Sequence, residues 1–210
     1  MTSPAQVNAG SHSWLSLDDI EARVRALESL LVEKGLAEHE AVDAVVSAFE
    51  NDMGPMNGAK VVARAWTDPE YKQWLLDDAT AAIADMGFTG LQTEHMVAVE
   101  NTPERHNVIV CTLCSCYPWT LLGIPPAWFK YPQYRARVVE EPRDVLREFG
   151  VELSDDVKID VWDTSAEIRF LVIPQRPAGT DGMSQDELAK LVSRDAMTGV
   201  ALAEEPAGRR

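Results

Sequence analysis

Cysteine is scarce in this chain, basic residues are few, and no apolar run is long. Only three of the 210 residues are cysteine, and all three stand within the six positions from Cys111 to Cys116. Three thiols cannot all pair with one another, so a disulfide framework does not account for them. Lysine and arginine number 19 against 34 aspartates and glutamates, a net charge of −15. That balance argues against nucleic acid and anionic membrane as partners, because both reward positive charge. No stretch approaches the roughly 18 apolar residues that a membrane-spanning helix needs. The opening residues, Met1-Thr2-Ser3-Pro4-Ala5-Gln6, lack a basic region followed by an apolar core, so no secretory signal is expected. Clustered free thiols then fit a reducing cytoplasm. Internal repeats are lacking as well.

What is present reads as a globular chain, long enough for one sizeable core. Ser16 is placed to cap a helix with Asp18 and Asp19 in its first turn. Ile20, Val24, Leu27, Leu30 and Leu31 recur at helical spacing until Gly35. A second helix is expected from Glu38 to Asn51 and a third over Ala59 to Trp66. A fourth is expected to restart at Pro69 and run to Met86 before Gly87. These apolar stripes, without an all-round core pattern, suggest an N-terminal helical arm over residues 1–90.

From residue 91 onward the period changes. Met96 to Val99 and Val108 to Val110 are β-rich runs, and Asn101-Thr102-Pro103 turns between them. Arg135 to Phe149 reads as helix, restarted near Pro142. Val157-Ile159-Val161 and Ile168-Phe170-Val172 alternate as strands, with Asp163-Thr164-Ser165 as an expected hairpin turn. Ser184 caps a last helix, Gln185 to Val192, ahead of an ordinary tail. The class expected is α+β, with the arm followed by a second domain over residues 91–210.

The cysteines open that domain's chemistry as C-x-x-C-x-C behind the run Asn107-Val108-Ile109-Val110. Thiolate is the form of cysteine that binds metal, and three converging thiolates are a ligand set. A structural zinc site wants four side-chain ligands, and the nearest candidate for the fourth, His106, is expected across a strand from the cluster. Buried, unligated cysteines are the plainer alternative. A third possibility is a claw completed by its own backbone. With Cys114 and Cys116 bound through sulfur, the amide nitrogens of Ser115 and Cys116 lie between them. Two five-membered chelate rings and one six-membered ring then span a square plane. Cys111 caps one face and the other stays open. An amide nitrogen yields its proton only to a strongly polarising ion, so this geometry favours a trivalent metal over zinc.

That loop, with Tyr117-Pro118-Trp119 and Gly123-Ile124-Pro125-Pro126-Ala127-Trp128-Phe129-Lys130 behind it, resembles the alpha subunit of nitrile hydratase. Further segments resemble the family in family order: Val99 to Pro103, Tyr134 to Arg137, Trp162 to Arg169 and Val172 to Thr180. The resemblance runs from about Ser16 to Leu202. It implies a layered α-β-β-α metal-binding domain and hydration of nitriles to amides. Threonine after the first cysteine goes with cobalt in that family and serine with iron. Thr112 therefore implies non-corrin Co(III), with iron(III) as the alternative. The implied ligands are Cys111, Cys114 and Cys116 through sulfur, with the backbone nitrogens of Ser115 and Cys116.

The resemblance also implies oxidation of Cys114 to sulfinate and of Cys116 to sulfenate, both steps on the known ladder. The Cys116 oxygen then stands beside the open position as nucleophile or base, which makes Cys116 the expected catalytic residue. The resemblance places Trp119 and Gln92 at the nitrile pocket, whereas the residues alone fit an interface or core tryptophan and a surface amide equally well or better; Tyr117 is expected to support the loop. Family arginines that hold the sulfur oxyanions belong to a beta subunit, so an alpha–beta heterodimer or a heterotetramer is expected, with a cobalt activator protein. Two rivals are the metal subunit of a thiocyanate hydrolase, which shares the claw, and a non-catalytic metal carrier. Trp119 after Tyr117-Pro118 favours the nitrile enzyme.

Overall fold

The computed structural model describes residues 17–90, 93 and 95–206. Two units emerge, residues 1–52 and residues 53–210. In the first, α1 (Leu17–Glu33) and α2 (His39–Asn51) are the two expected helices. The cap assigned to Ser16 lies outside the described residues. Ile20, Val24, Leu27 and Leu30 are exposed on α1, as are Val45 and Val46 on α2. The stripe read from the sequence is therefore not covered within this chain's described residues.

The second unit begins with α3 (Pro55–Thr67), α4 (Pro69–Asp77) and α5 (Ala79–Asp85). Residues 53–90 thus share a unit with the strands, whereas residue 90 marks the change of period. α3 is the buried helix, with Val61, Val62 and Ala63 fully enclosed. Each enclosed aliphatic side chain contributes roughly 1.5–3 kcal/mol relative to exposure. The single helix expected from Pro69 to Met86 is two. Asp68 caps α4 by accepting from the Tyr71 amide at 3.0 Å, and Asp78 caps α5 by accepting from the Ala81 amide at 3.0 Å. Aspartate offers the backbone a non-helical partner, which is why the helix breaks at Asp78.

Four strands follow: β1 (Met96–Glu100), β2 (Arg105–Val110), β3 (Lys158–Asp163) and β4 (Arg169–Ile173). They form two parallel pairs, β1 with β4 and β2 with β3. The hairpin expected at Asp163-Thr164-Ser165 is therefore corrected. That stretch carries the chain from one pair to the other. Thr164 N–H extends the β2–β3 ladder onto the Val110 carbonyl, while Arg169 N–H joins the β1 side at the His95 carbonyl. β4 is buried along its whole length, as parallel strands covered on both faces are. Helices α4 and α5 pack on β1, and α8 (Pro142–Glu148) packs on β3, while β2 and β4 meet between them. The chain is thus of the α+β class, and within the second unit helices pack around two small strand pairs.

Between β2 and β3 come α6 (Trp119–Leu122), a 3-10 turn (Ala127–Lys130) and α7 (Pro132–Glu140), followed by α8. The Pro142 restart stands as expected. Ser184 caps α9 (Gln185–Ala189) through a reciprocal capping box with Glu187. The supposed tail contains a further helix, α10 (Arg194–Thr198), which ends at Gly199 with φ +85°.

Candidate metal centre

β2 delivers the claw. Val108, Ile109 and Val110 are buried, and the strand stops where Cys111 begins. The strand is held from three sides. Tyr134 on α7 donates to the Ile109 carbonyl at 2.7 Å. Trp162 Nε1 on β3 donates to Asn107 Oδ1 at 2.9 Å, and Asn107 Nδ2 in turn donates to the Glu100 carbonyl at 2.8 Å. His106 is buried, with Nε2 donating to the Gly199 carbonyl at 2.7 Å and Nδ1 lying 3.3 Å from Asn101 Nδ2. Burial, opposed by the bond to Gly199, lowers the His106 pKa and keeps the ring neutral. Both its nitrogens are engaged, so it is a structural histidine and no member of the cysteine cluster.

The three sulfurs converge. Cys111 Sγ lies 3.3 Å from Cys114 Sγ, which lies 3.1 Å from Cys116 Sγ, and all three fall within 4.8 Å of one another. No fourth histidine, cysteine or carboxylate completes this group among the described residues. Cys111 is buried at the floor, Cys114 is exposed and Cys116 lies between. The Cys114 amide points at Cys111 Sγ, 3.3 Å away. The sulfurs influence one another strongly. Contact with the Cys116 thiol, then with Cys111, pulls the Cys114 thiol down to about 7. Burial, then the shared contact with Cys114, pushes Cys116 up to about 12. A cation among the sulfurs removes this competition by favouring thiolate at each. Three soft donors with no fourth side chain fit a metal whose remaining positions are filled by backbone or left open. They do not fit a closed tetrahedral zinc site.

Trp119 begins α6, half-buried against the core three residues beyond the claw. Tyr117 is fully buried, its ring 5.0 Å from Phe129 in an edge-on contact. Burial drives its pKa well above the ordinary tyrosine range. Tyr117 therefore packs in the core directly behind the claw, against Phe129. Gln92 lies outside the described residues.

Two residues that sequence reading assigned no role hold the loop. Asp163, the last residue of β3, accepts from the Thr112 amide at 2.9 Å and from the Thr112 hydroxyl at 2.5 Å. Arg135 on α7 donates from Nη1 to the Cys114 carbonyl at 3.2 Å. Asp163 had the look of a turn residue, and its partner stands 51 positions away, so no local signal marks it. Replacing Asp163 with alanine frees Thr112, and groups that fix ligands are typically worth about 10–100-fold in metal affinity. The D163A complex is expected to lose metal about tenfold faster into a chelator while its unfolding temperature falls only slightly; equal retention would remove the role assigned to this pair.

The sequence profile of the nitrile hydratase alpha chain matches residues 18–201. The high-molecular-weight cobalt-containing nitrile hydratase subunit alpha of Rhodococcus rhodochrous is 58% identical over 189 residues, covering 90% of this chain and 93% of that one. The gamma subunit of thiocyanate hydrolase from Thiobacillus thioparus is more distant, 38% identical over 197 residues, with 89% and 81% covered. Among solved structures, an Fe-type nitrile hydratase from Comamonas testosteroni Ni1 superposes with a TM-score of 0.83 at 44% identity, covering 91% of this chain and 94% of that chain. A match over nearly the whole described chain, together with the sulfur cluster at the expected loop, places this protein in the nitrile hydratase alpha chain family.

Proposed function

We propose that this chain is the metal-binding alpha subunit of a cobalt-type nitrile hydratase that converts nitriles to amides with a beta subunit. The observation that carries the reading is the convergence of three sulfurs on one short loop with no fourth histidine, cysteine or carboxylate in their group among the described residues. Cys111, Cys114 and Cys116 would hold the ion through sulfur, and the amide nitrogens of Ser115 and Cys116 would be its further donors. Thr112 after the first cysteine and the cobalt-containing Rhodococcus relative support Co(III) over iron(III). When bound, the ion supplies Lewis-acid polarisation of a nitrile or of water.

The chain's own part is to present and orient. Cys111 anchors the loop from the buried floor, while Cys116, with its sulfur oxidised to sulfenate, offers an oxygen as nucleophile to the nitrile carbon or as base to a water proton. Cys114, oxidised to sulfinate, stands exposed beside it, where donors from a partner chain can reach it. Trp119 lines the apolar side of the substrate position, and Gln92 is assigned to the same pocket. Tyr117 keeps the loop seated by packing on Phe129.

Exposed apolar surface supports the beta subunit as the missing half. Leu113, within the claw, is 88% exposed, and an open groove of about 500 Å³ runs from it past Pro132 and Val139. The bare stripe of α1 is assigned to the same partner as the helical arm, in a heterodimer or heterotetramer. No helix among the described residues is long and apolar enough to cross a membrane. A cytoplasmic setting is proposed from the three free thiols, and a cobalt activator protein is proposed for loading.

Co-expression with the beta subunit, followed by metal analysis, intact mass and product assay, tests all of this together. The expected result is one cobalt per alpha chain, a mass gain of about three oxygens, and amide formation from a nitrile. Thiocyanate consumption in place of nitrile hydration would turn the reading to the hydrolase. A labile zinc or copper without added oxygen would turn it to a metal carrier.

A further inference from the structure

Arg135 is a cation beside the claw that the reading above does not use. Its Nη1 donates to the Cys114 carbonyl oxygen at 3.2 Å, while its Nε is closed off from solvent without a hydrogen-bond partner among the described residues. The stem is partly covered on α7, and α7 is itself tied to β2 through Tyr134 and Ile109. The guanidinium is thus carried on a rigid element, and its position against the loop is set by packing.

What it touches matters. The Cys114 carbonyl and the Ser115 nitrogen are two ends of one peptide unit, joined by resonance. A backbone nitrogen that coordinates a metal as an anion has released its proton to a base in solution. The negative charge left behind is shared with the carbonyl oxygen of the same unit. The geometry points to Arg135 as a positioning residue for the metal loop. It fixes the plane of the Cys114–Ser115 peptide and supplies positive charge at the oxygen where the ligand nitrogen's charge is shared. This assignment rests on the proposed ligand set, because it needs the Ser115 nitrogen to be a donor. A bond from a charged group to a carbonyl bearing excess charge is much stronger than one to an ordinary carbonyl. Arg135 therefore acts chiefly in the metal-loaded state and differs in this from a simple loop tie. It also belongs to this chain, so its contribution does not wait for donors from the beta subunit.

The test uses the assembled alpha–beta complex with three variants, Arg135→Met, Arg135→Gln and Arg135→Lys. Cobalt release into a chelator is followed by metal analysis, and the cobalt–sulfur charge-transfer absorption is recorded beside it. R135M is expected to release cobalt about 10- to 100-fold faster than the unaltered complex, the range set by a hydrogen bond to a charged group. Its absorption band is expected to shift. R135K, a point charge without the fork, is expected to remain within about threefold, and R135Q to fall between them. Equal release and an unshifted band in R135M, with cobalt firmly held in the unaltered complex, would overturn the role of Arg135 and leave the functional reading intact. Equal loss in R135M and R135K would show a steric part and overturn the charge assignment. Should R135M fail to assemble, R135Q decides: release at the unaltered rate overturns the inference. An unaltered complex with no cobalt, or with the absorption of a tetrahedral thiolate site, would overturn the functional reading and this inference with it.

Discussion

Changing Cys114 to serine is expected to leave the complex with less than about a tenth of its cobalt and to lower nitrile hydration at least about a hundredfold, beyond the range for groups that merely orient a ligand. Cys114 is the central sulfur, 3.3 Å from Cys111 Sγ and 3.1 Å from Cys116 Sγ, so its loss divides the cluster. Serine keeps nearly the same shape, but its hydroxyl is harder and stays protonated where a thiol ionises. The fold should hardly register the change, because Cys114 is exposed. Thermal unfolding of the metal-free chain is expected to shift by no more than about 0.5 kcal/mol. Metal analysis, product assay and calorimetry on the same preparation separate the two effects. Full cobalt content in C114S would sink the ligand assignment; a collapse of stability without metal would show Cys114 to be a structural residue.

The second large effect is expected far from the sulfurs in sequence. Gly199 ends α10 with φ +85°, and a methyl group there would lie 1.9 Å from the Asn107 carbonyl oxygen and 2.9 Å from Val108 Cα. The obstacle is the backbone of β2, which cannot step aside as a flexible side chain can. Left-handed geometry alone costs an alanine about 1–2 kcal/mol, and displacing the strand adds to that. Gly199→Ala is therefore expected to cost about 4 kcal/mol or more, a value confined to a few strong mechanisms. For a domain of this size, that lowers the unfolding temperature by roughly 8–16 °C. The displaced strand carries His106, whose Nε2 bonds to the Gly199 carbonyl, and leads directly to Cys111. Metal retention should therefore fall along with stability. A melting temperature within about 2 °C of the unaltered protein would mean that α10 and β2 can separate without penalty.

These expectations show which parts were legible in the sequence. Helix limits set by nearby residues were read well: the Pro69 and Pro142 starts and the Ser184 cap all depend on contacts within one turn. Asp78 was missed as a break because the apolar pattern continues through it, and only its bond to the Ala81 amide makes it a cap. The hairpin between β3 and β4 was misread for a different reason. Two alternating runs with a polar turn between them carry no mark of which strand each will pair with. The structure pairs β3 with β2 and β4 with β1, between residues 53 and 73 positions apart in the chain. α10 was overlooked because five residues are too few to show a period.

By itself, the sequence determined the spacing of the three cysteines, since sulfurs within six residues are held close by covalent geometry whatever surrounds them. It also determined the family. Only the tertiary structure decided how the loop is held: Asp163 from β3, Arg135 from α7 and the close passage of Gly199 behind β2. The reason is physical. Local rules act over one or two turns of chain, whereas these three supports are brought to the claw by parallel strand pairing and helix packing, which the energy of the whole core selects.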